Sequence, residues 1–426
     1  LIVILLKMIE FYNVIISSFM IFLLFSGNLI FYKDHNINIF KKIIFSIIIF
    51  LNIFLVFSFL KNGMIILFYS IIVIIFINLF NFVKNIKNFY FLYFILFNSV
   101  IFAQITIEPI LGWDGQAIWY PKAYNYFSGG SFDNLNEFTR SDYPHLGSYV
   151  WAFFWKYSLL KYEYVGRYVQ IFIYLSSLFL IISFNKNSIT RNIVIIYFLF
   201  YISFDLDLFR GYQEYLIFSL INVYVVLHYE DKDQSFLFFY TLLIINIIIW
   251  VKNEGIIYII PIIVLFIFRQ KKIFNKTNFY FLAACLIILV FRIYMSAQLN
   301  GAFSFQGNSF TLSNTIRESL NFSTIGTDLF LIIKHFIITY FKYPVWIFLF
   351  IFLIFPNREV KSKKLYKDTL YVFVFSLLIN IFIFHIQDSA ILEWQLSTAV
   401  DRLNFMLSGY FIYFIYRNVN KYFSQS

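Results

Sequence analysis

The chain has 426 residues, 61% of them hydrophobic and only 13% charged, with a mean hydropathy of +0.78. That leaves too little polar surface to cover a water-soluble globule and predicts an all-α polytopic membrane protein. The net charge of +11 does not point to nucleic acid. The basic residues fall in short loops between apolar runs, where they orient helices in a lipid bilayer.

A helix needs about 20 apolar residues to cross a bilayer. The run near 9–31 follows a start at Leu1 and is too long and too poorly ended for a cleaved signal peptide, so it reads as the first span. Spans near 40–60, 64–83 and 89–107 follow. At Glu108 the composition changes abruptly to "EPILGWDGQAIWYPKAYNYF". Further spans are expected near 164–184, 192–205, 211–228, 235–251, 255–268, 278–297, 327–356, 368–386 and 402–417, about 13 in all. The segment 327–356 carries Pro344 and is expected to kink there. Residues 1–88 thus hold three helices ahead of a unit over 89–418, with a short cytoplasmic tail at 419–426.

Charge decides the sides. The loops around 32–42, 84–88, 185–191, 229–234, 269–277, 356–368 and 417–426 hold 19 of the 33 basic residues but only 6 of the 22 acids. The positive-inside rule puts them in the cytoplasm. If Gly147 to Leu160 ("GSYVWAFFWKYSLL") crossed, later basic loops would face outward. It is therefore read as an aromatic amphipathic helix at the outer interface, which makes 108–163 one long external loop.

The outer face then collects the unusual residues. The first loop holds Glu108, Trp113, Asp114, Lys122, Asp133, Glu137, Arg140, Asp142, Tyr143 and His145. Next come "FDLDLFRGYQEY", with Asp205, Asp207, Arg210 and Glu214, and "WVKNEG", with Lys252 and Glu254. A mostly uncharged polar loop runs from Gln298 to Gly326. Last is "HIQDSAILEWQLSTAVDRL", with His385, Asp388, Glu393, Asp401 and Arg402. Charges near membrane depth cost several kcal/mol unless paired or hydrated. Asp133, Glu137 and Asp388 read as ordinary wet loop residues. Lys252 and Glu254 suit a structural ion pair as well as a site. Asp114 suits a helix N-cap, with the helix starting at Gly115 or Gln116. As a set, acids and cations at one face of an apolar bundle suit a substrate that is half lipid and half polar, such as a polyprenyl-phosphate sugar. Its phosphate calls for Arg or Lys, and its acceptor hydroxyl for a carboxylate base.

The order of elements carries a resemblance. An acid follows an outward-going span, then an "AxxY" helix, "YPHL" (Tyr143 to Leu146), an outer "GYQE" turn, "KNEG" between short spans and "DRL" opening a late span. This resembles the membrane-embedded C-type (GT-C) glycosyltransferases of the protein O-mannosyltransferase and aminoarabinose (lipid A) transferase superfamily, over roughly residues 95–418. The resemblance implies a glycosyltransferase that moves a sugar from dolichyl or undecaprenyl phosphate, with inversion, to a glycan, lipid or protein acceptor. It also implies a multi-pass protein of the inner cell membrane with its site facing the periplasm or exterior. Asp114 matches the catalytic base. Lys122, Tyr143, His145, Arg210, Glu214, Lys252, Glu254 and Arg402 are the expected substrate and donor-phosphate residues. The family's usual "DE" is "DG" here, which removes a second carboxylate. No cofactor is required, and a divalent ion shared between Asp114 and a distant carboxylate is the weaker alternative.

Two other readings compete. An O-antigen-type polymerase or ligase usually places its large loop late, whereas here it is early. A transporter or lipid flippase predicts inverted repeats and midplane charges, and neither is evident. There is no Gly-rich phosphate loop, no HExxH and no GxSxG. The single Cys285 excludes an intrachain disulfide and a thiolate metal site. His35, His145, His228, His335 and His385 are too scattered to suggest a metal site.

Overall fold

The computed structural model describes residues 2–25, 38–85, 87–107, 109–138, 140–141, 143–184, 188–269, 276–299, 304–305, 308–309, 325–361, 364–385 and 389–425. Glu108, Asp142, Asp388 and most of the polar loop from Gln298 to Gly326 lie outside them. Among the described residues the regular structure is helical apart from a two-residue antiparallel ladder, Ser304–Phe305 with Asn308–Ser309.

Helices α1 (Ile2–Phe25), α2 (Ile39–Ser58), α3 (Gly63–Asn85) and α4 (Phe89–Ile107) come first. The segment between α4 and α7 adds α5 (Tyr120–Ser128) and α6 (Leu146–Lys156). Then follow α7 (Tyr168–Ser183), α8 (Ile189–Ser203), α9 (Glu214–Glu230), α10 (Gln234–Val251), α11 (Gly255–Arg269) and α12 (Lys276–Ala297). The last four long elements are α13 (Ile325–Lys342), α14 (Pro344–Ile354), α15 (Lys364–His385) and α16 (Ser389–Ser408), closed by α17 (Ile412–Gln425). Side-chain caps start several of them. Asn38 accepts from Phe40 N–H at 3.0 Å before α2, and Asp233 accepts from Ser235 and Phe236 N–H before α10.

The centre is α7 against α9. Every residue from Tyr168 to Ile182 and from Glu214 to His228 is buried. Asn222 donates from Nδ2 to the Ser177 carbonyl at 3.2 Å, satisfying polar groups inside the apolar pair. Helix α2 packs on α7, α6 and α10, so the N-terminal helices share the same core.

Among the described residues, five helices are long and apolar enough to cross a membrane: Ile39–Ser58, Phe89–Ile107, Glu163–Ser183, Lys276–Ala297 and Lys364–His385. Five more apolar helices are shorter, among them Ser235–Val251 and Gly255–Arg269 on either side of "KNEG". Three expected elements differ. The span 327–356 is two helices bent by 95° at a break at Tyr343, far sharper than a kink, since proline ends the preceding helix. The span 402–417 is the end of α16, a break at Gly409–Phe411, and α17, so Arg402 lies well inside α16 and does not open a helix. Helix α6 has 11 residues, only about 16 Å, too short to cross. It is not amphipathic at a surface either, because Leu146 to Trp155 are all buried under α5, α2 and the turn at Glu163–Arg167.

The contacts respect the charge-based division of loops. At one end Lys41 pairs with Asp231 at 2.7 Å, Arg417 with Glu230 at 3.1 Å and Lys421 with Glu359 at 2.6 Å. At the other, residues of the 108–163 segment meet the Arg210 turn, "KNEG" and Arg402. No ion pair among the described residues joins one set of loops to the other.

Candidate active site

Asp114 reaches its position through an irregular helix start. The helix begins at Trp113, and Gly115–Trp119 forms a π-helical turn, closed by Tyr120 N–H to the Gly115 carbonyl. Pro121 follows at once and lacks an N–H to continue the regular ladder. Such π turns cluster at functional sites because they re-aim side chains. Asp114 is therefore not an N-cap: its side chain makes no capping bond, and it turns to the Arg402 guanidinium.

Glycine at 115 has a packing reason. A Cβ there would lie 2.4 Å from the Arg210 carbonyl oxygen, which also accepts from Gly112 N–H at 2.9 Å. The partner turn is held in its own way: Gly211 has φ +79°, and a Cβ on it would meet the Trp151 ring at 2.8 Å. Arg167, fully buried, fixes the same seam from below. It donates to the Pro109 carbonyl at 3.1 Å, to the Phe209 carbonyl, and to Glu163 at 2.9 Å.

The charged cluster has three layers. Arg402 pairs with Asp114 and lies 3.8 Å from Glu214. Glu214 in turn accepts from Lys252 Nζ at 2.7 Å, both being almost fully buried. Lys252 is extended at the end of α10, and α11 restarts at Gly255, so the break directs Lys252 and Glu254 to the cavity. Behind it, Arg292 of α12 donates to Asn253 Oδ1 at 2.8 Å and to the Ile249 carbonyl at 3.1 Å, and its guanidinium sits 4.8 Å from the Trp250 ring centroid. A buried arginine on an apolar helix is thereby satisfied while it holds the "KNEG" turn.

These groups open onto one cavity of about 480 Å³. Asp114, Arg140, Tyr143, Lys252, Glu254 and Arg402 line it, with α16 supplying Trp394, Gln395 and Thr398. Two buried acceptors on its wall, Glu254 Oε2 and Gln395 Oε1, have no hydrogen-bond partner among the described residues. They call for hydrogen-bond donors on whatever occupies the space. Trp113 and Trp394 are largely exposed beside it, offering flat apolar faces.

Of the expected site residues, Asp114, Tyr143, Lys252, Glu254 and Arg402 line the cavity, and Glu214 stands directly behind. Three are elsewhere. Lys122 is fully buried and donates to the carbonyls of Arg140 and Tyr143 at 2.6 and 2.5 Å. His145 is buried among Phe59, Phe132 and Trp250, with Nε2 2.7 Å from Ser58 Oγ. Burial holds its pKa well below the ordinary histidine value, and Lys122 and Arg292 push the same way, so it packs as a neutral ring. Arg210 is half exposed and pairs with Asp207 at 3.4 Å; its carbonyl, not its guanidinium, serves the site. Conversely, Arg140, Gln395, Arg167 and Arg292 were not among the expected set. Arg140 and Gln395 stand in long polar stretches without a motif, and only their place on the cavity wall distinguishes them.

No group of three or more His, Cys, Asp or Glu side chains among the described residues is arranged to hold a metal ion. The chain matches no protein-family model, no curated protein and no solved structure.

Proposed function

We propose that the protein is an integral-membrane glycosyltransferase that moves a sugar from a polyprenyl-phosphate donor to an acceptor hydroxyl. The observation that carries the reading is that one cavity presents a carboxylate, Asp114, in direct contact with a guanidinium, Arg402. The cation suits a phosphate and the carboxylate suits a proton to be removed. The unpartnered acceptors Glu254 and Gln395 suit sugar hydroxyls. The exposed tryptophans suit a sugar face or a lipid chain.

The chemistry follows from the pairing. Arg402 engages the Asp114 carboxylate. A donor phosphate competes for the guanidinium and frees that carboxylate. The acceptor oxygen attacks the anomeric carbon, its proton passes to Asp114, and the bond from that carbon to the phosphate oxygen breaks. Attack from the face opposite the leaving group inverts the centre. Polyprenyl phosphate departs with the bonding electrons, its charge balanced by Arg402 and, further back, Lys252. Phosphate is a good enough leaving group that no general acid is needed. The reading places the cavity on the periplasmic or outer side, consistent with the basic loops gathering at the opposite end.

The test is transfer in proteoliposomes from a radiolabelled polyprenyl-phosphate sugar. Label moving to a glycan, lipid or peptide acceptor supports the reading. Transport of lipid without transfer of label contradicts it.

A further inference from the structure

Arg140 stands apart from the other cations around the cavity. The carboxylates Asp114 and Glu214 are matched by Arg402 and Lys252. Arg140 lines the same cavity and has no acidic partner among the described residues. Its guanidinium lies 6.0 Å from the centroid of the Tyr143 ring. Its backbone is left-handed, with φ +61°, a conformation that a long side chain adopts only when its surroundings impose it.

The imposing group is Lys122. Its ammonium is fully buried and donates to the Arg140 carbonyl at 2.6 Å and to the Tyr143 carbonyl at 2.5 Å. Tyr143 N–H closes the same turn onto the Arg140 carbonyl at 3.1 Å. A buried lysine that grips two carbonyls is an expensive way to hold a loop. What it secures is a strained turn whose arginine lines the cavity that Arg402 and Lys252 also line.

We infer that Arg140 is an anion-binding residue of this site, that it takes the phosphate of an isoprenyl phosphate between itself and Arg402, and that Lys122 is its positioning residue. The inference rests on the glycosyltransferase reading for the nature of the ligand. Arginine suits the task because its planar fork can hold two phosphate oxygens at once. Lys122, with its ammonium already engaged by carbonyls, acts through Arg140 and does not meet the anion itself.

The experiment uses the full chain in detergent micelles, with farnesyl phosphate and farnesol as paired probes. The wild type is expected to bind the phosphate at least about 10-fold more tightly than the alcohol, since a hydrogen bond to a charged group is worth that much. Arg140→Gln removes most of that preference and leaves farnesol affinity unchanged, and Arg140→Lys restores part of it. Lys122→Met also removes the preference, and adding Arg140→Gln to it changes nothing more, because the two act as one unit. If Arg140→Gln keeps the full preference, Arg402 suffices and this inference falls while the proposed function stands. If the wild type does not distinguish the two probes, both fall. Independent, additive losses from the two positions would overturn the positioning role of Lys122.

Discussion

Arg402 donates through Nη1 to the carboxylate of Asp114, joining residues 288 positions apart in the chain. One comes from an irregular helix start between α4 and α5, the other from inside α16. Asp401, the preceding residue, accepts from Thr339 Oγ1 at 2.6 Å and pairs with Lys342 of α13, so the arginine is presented on a helix tied to its neighbour.

The glycine beside Asp114 is expected to tolerate no side chain. Gly115→Ala puts a methyl group 2.4 Å from the Arg210 carbonyl, and backbone cannot swing aside as a flexible side chain would. We predict a loss of about 2 kcal/mol in detergent unfolding, typical of overpacking, and a larger loss of transfer as Asp114 is displaced. Gly115→Glu, which places a second acid beside Asp114, is expected to be worse than Gly115→Ala on both counts. Wild-type stability in either variant would remove the packing explanation for "DG".

The Glu214–Lys252 pair is expected to behave as a buried ion pair, its side chains being 3% and 4% exposed. Lys252→Met leaves Glu214 with only Arg402 at 3.8 Å and should cost about 3 kcal/mol. The double change Lys252→Met with Glu214→Leu should recover most of that, because no orphaned charge remains. Equilibrium unfolding of the three proteins reads the difference directly. A double variant as unstable as the single one would mean that the pair holds the α9–α10 geometry by more than charge.

Asp207 gives a pH-dependent signature. Burial, with the nearby charges of Asp205 and Glu214, pushes its pKa up to about 6 from an ordinary 3.8. A carboxyl raised in the fold favours the folded state when protonated. Its contribution is therefore present below the ordinary value and lost as pH rises through about 6. Asp207→Asn should melt higher than the wild type at pH 7 and similarly at pH 4. Identical melting shifts at both values would show that its ionisation is not coupled to folding.

Much of this arrangement could be read in the chain before its structure. The interruption of two apolar runs by "KNEG" marks the break between α10 and α11, since charged residues at that depth need partners. Loop charges separated the two ends of the molecule because lysine and arginine are unevenly distributed between them. Other features depend on three-dimensional contacts. Lys122 lies in an attractive motif, yet its ammonium is spent on two carbonyls that only the left-handed turn at Arg140 brings within reach. His145 looks like a site histidine because it stands in the "YPHL" element, but Phe59 and Trp250 enclose it. Helix α6 has the aromatic composition of an interfacial helix, and its burial follows from α2 and α5 covering both its sides. The bend at Pro344 was visible, but its 95° extent was not, because a proline alone does not set the angle.

The most direct test of the central claim is the rate of sugar transfer by Asp114→Asn in proteoliposomes, with a synthetic polyprenyl-phosphate sugar as donor. Asparagine keeps the shape and can still accept a hydrogen bond from Arg402, but it cannot take up a proton at neutral pH. We predict a fall of at least about 100-fold, with insertion and melting behaviour close to wild type. Transfer at the wild-type rate by a folded Asp114→Asn protein would contradict the account.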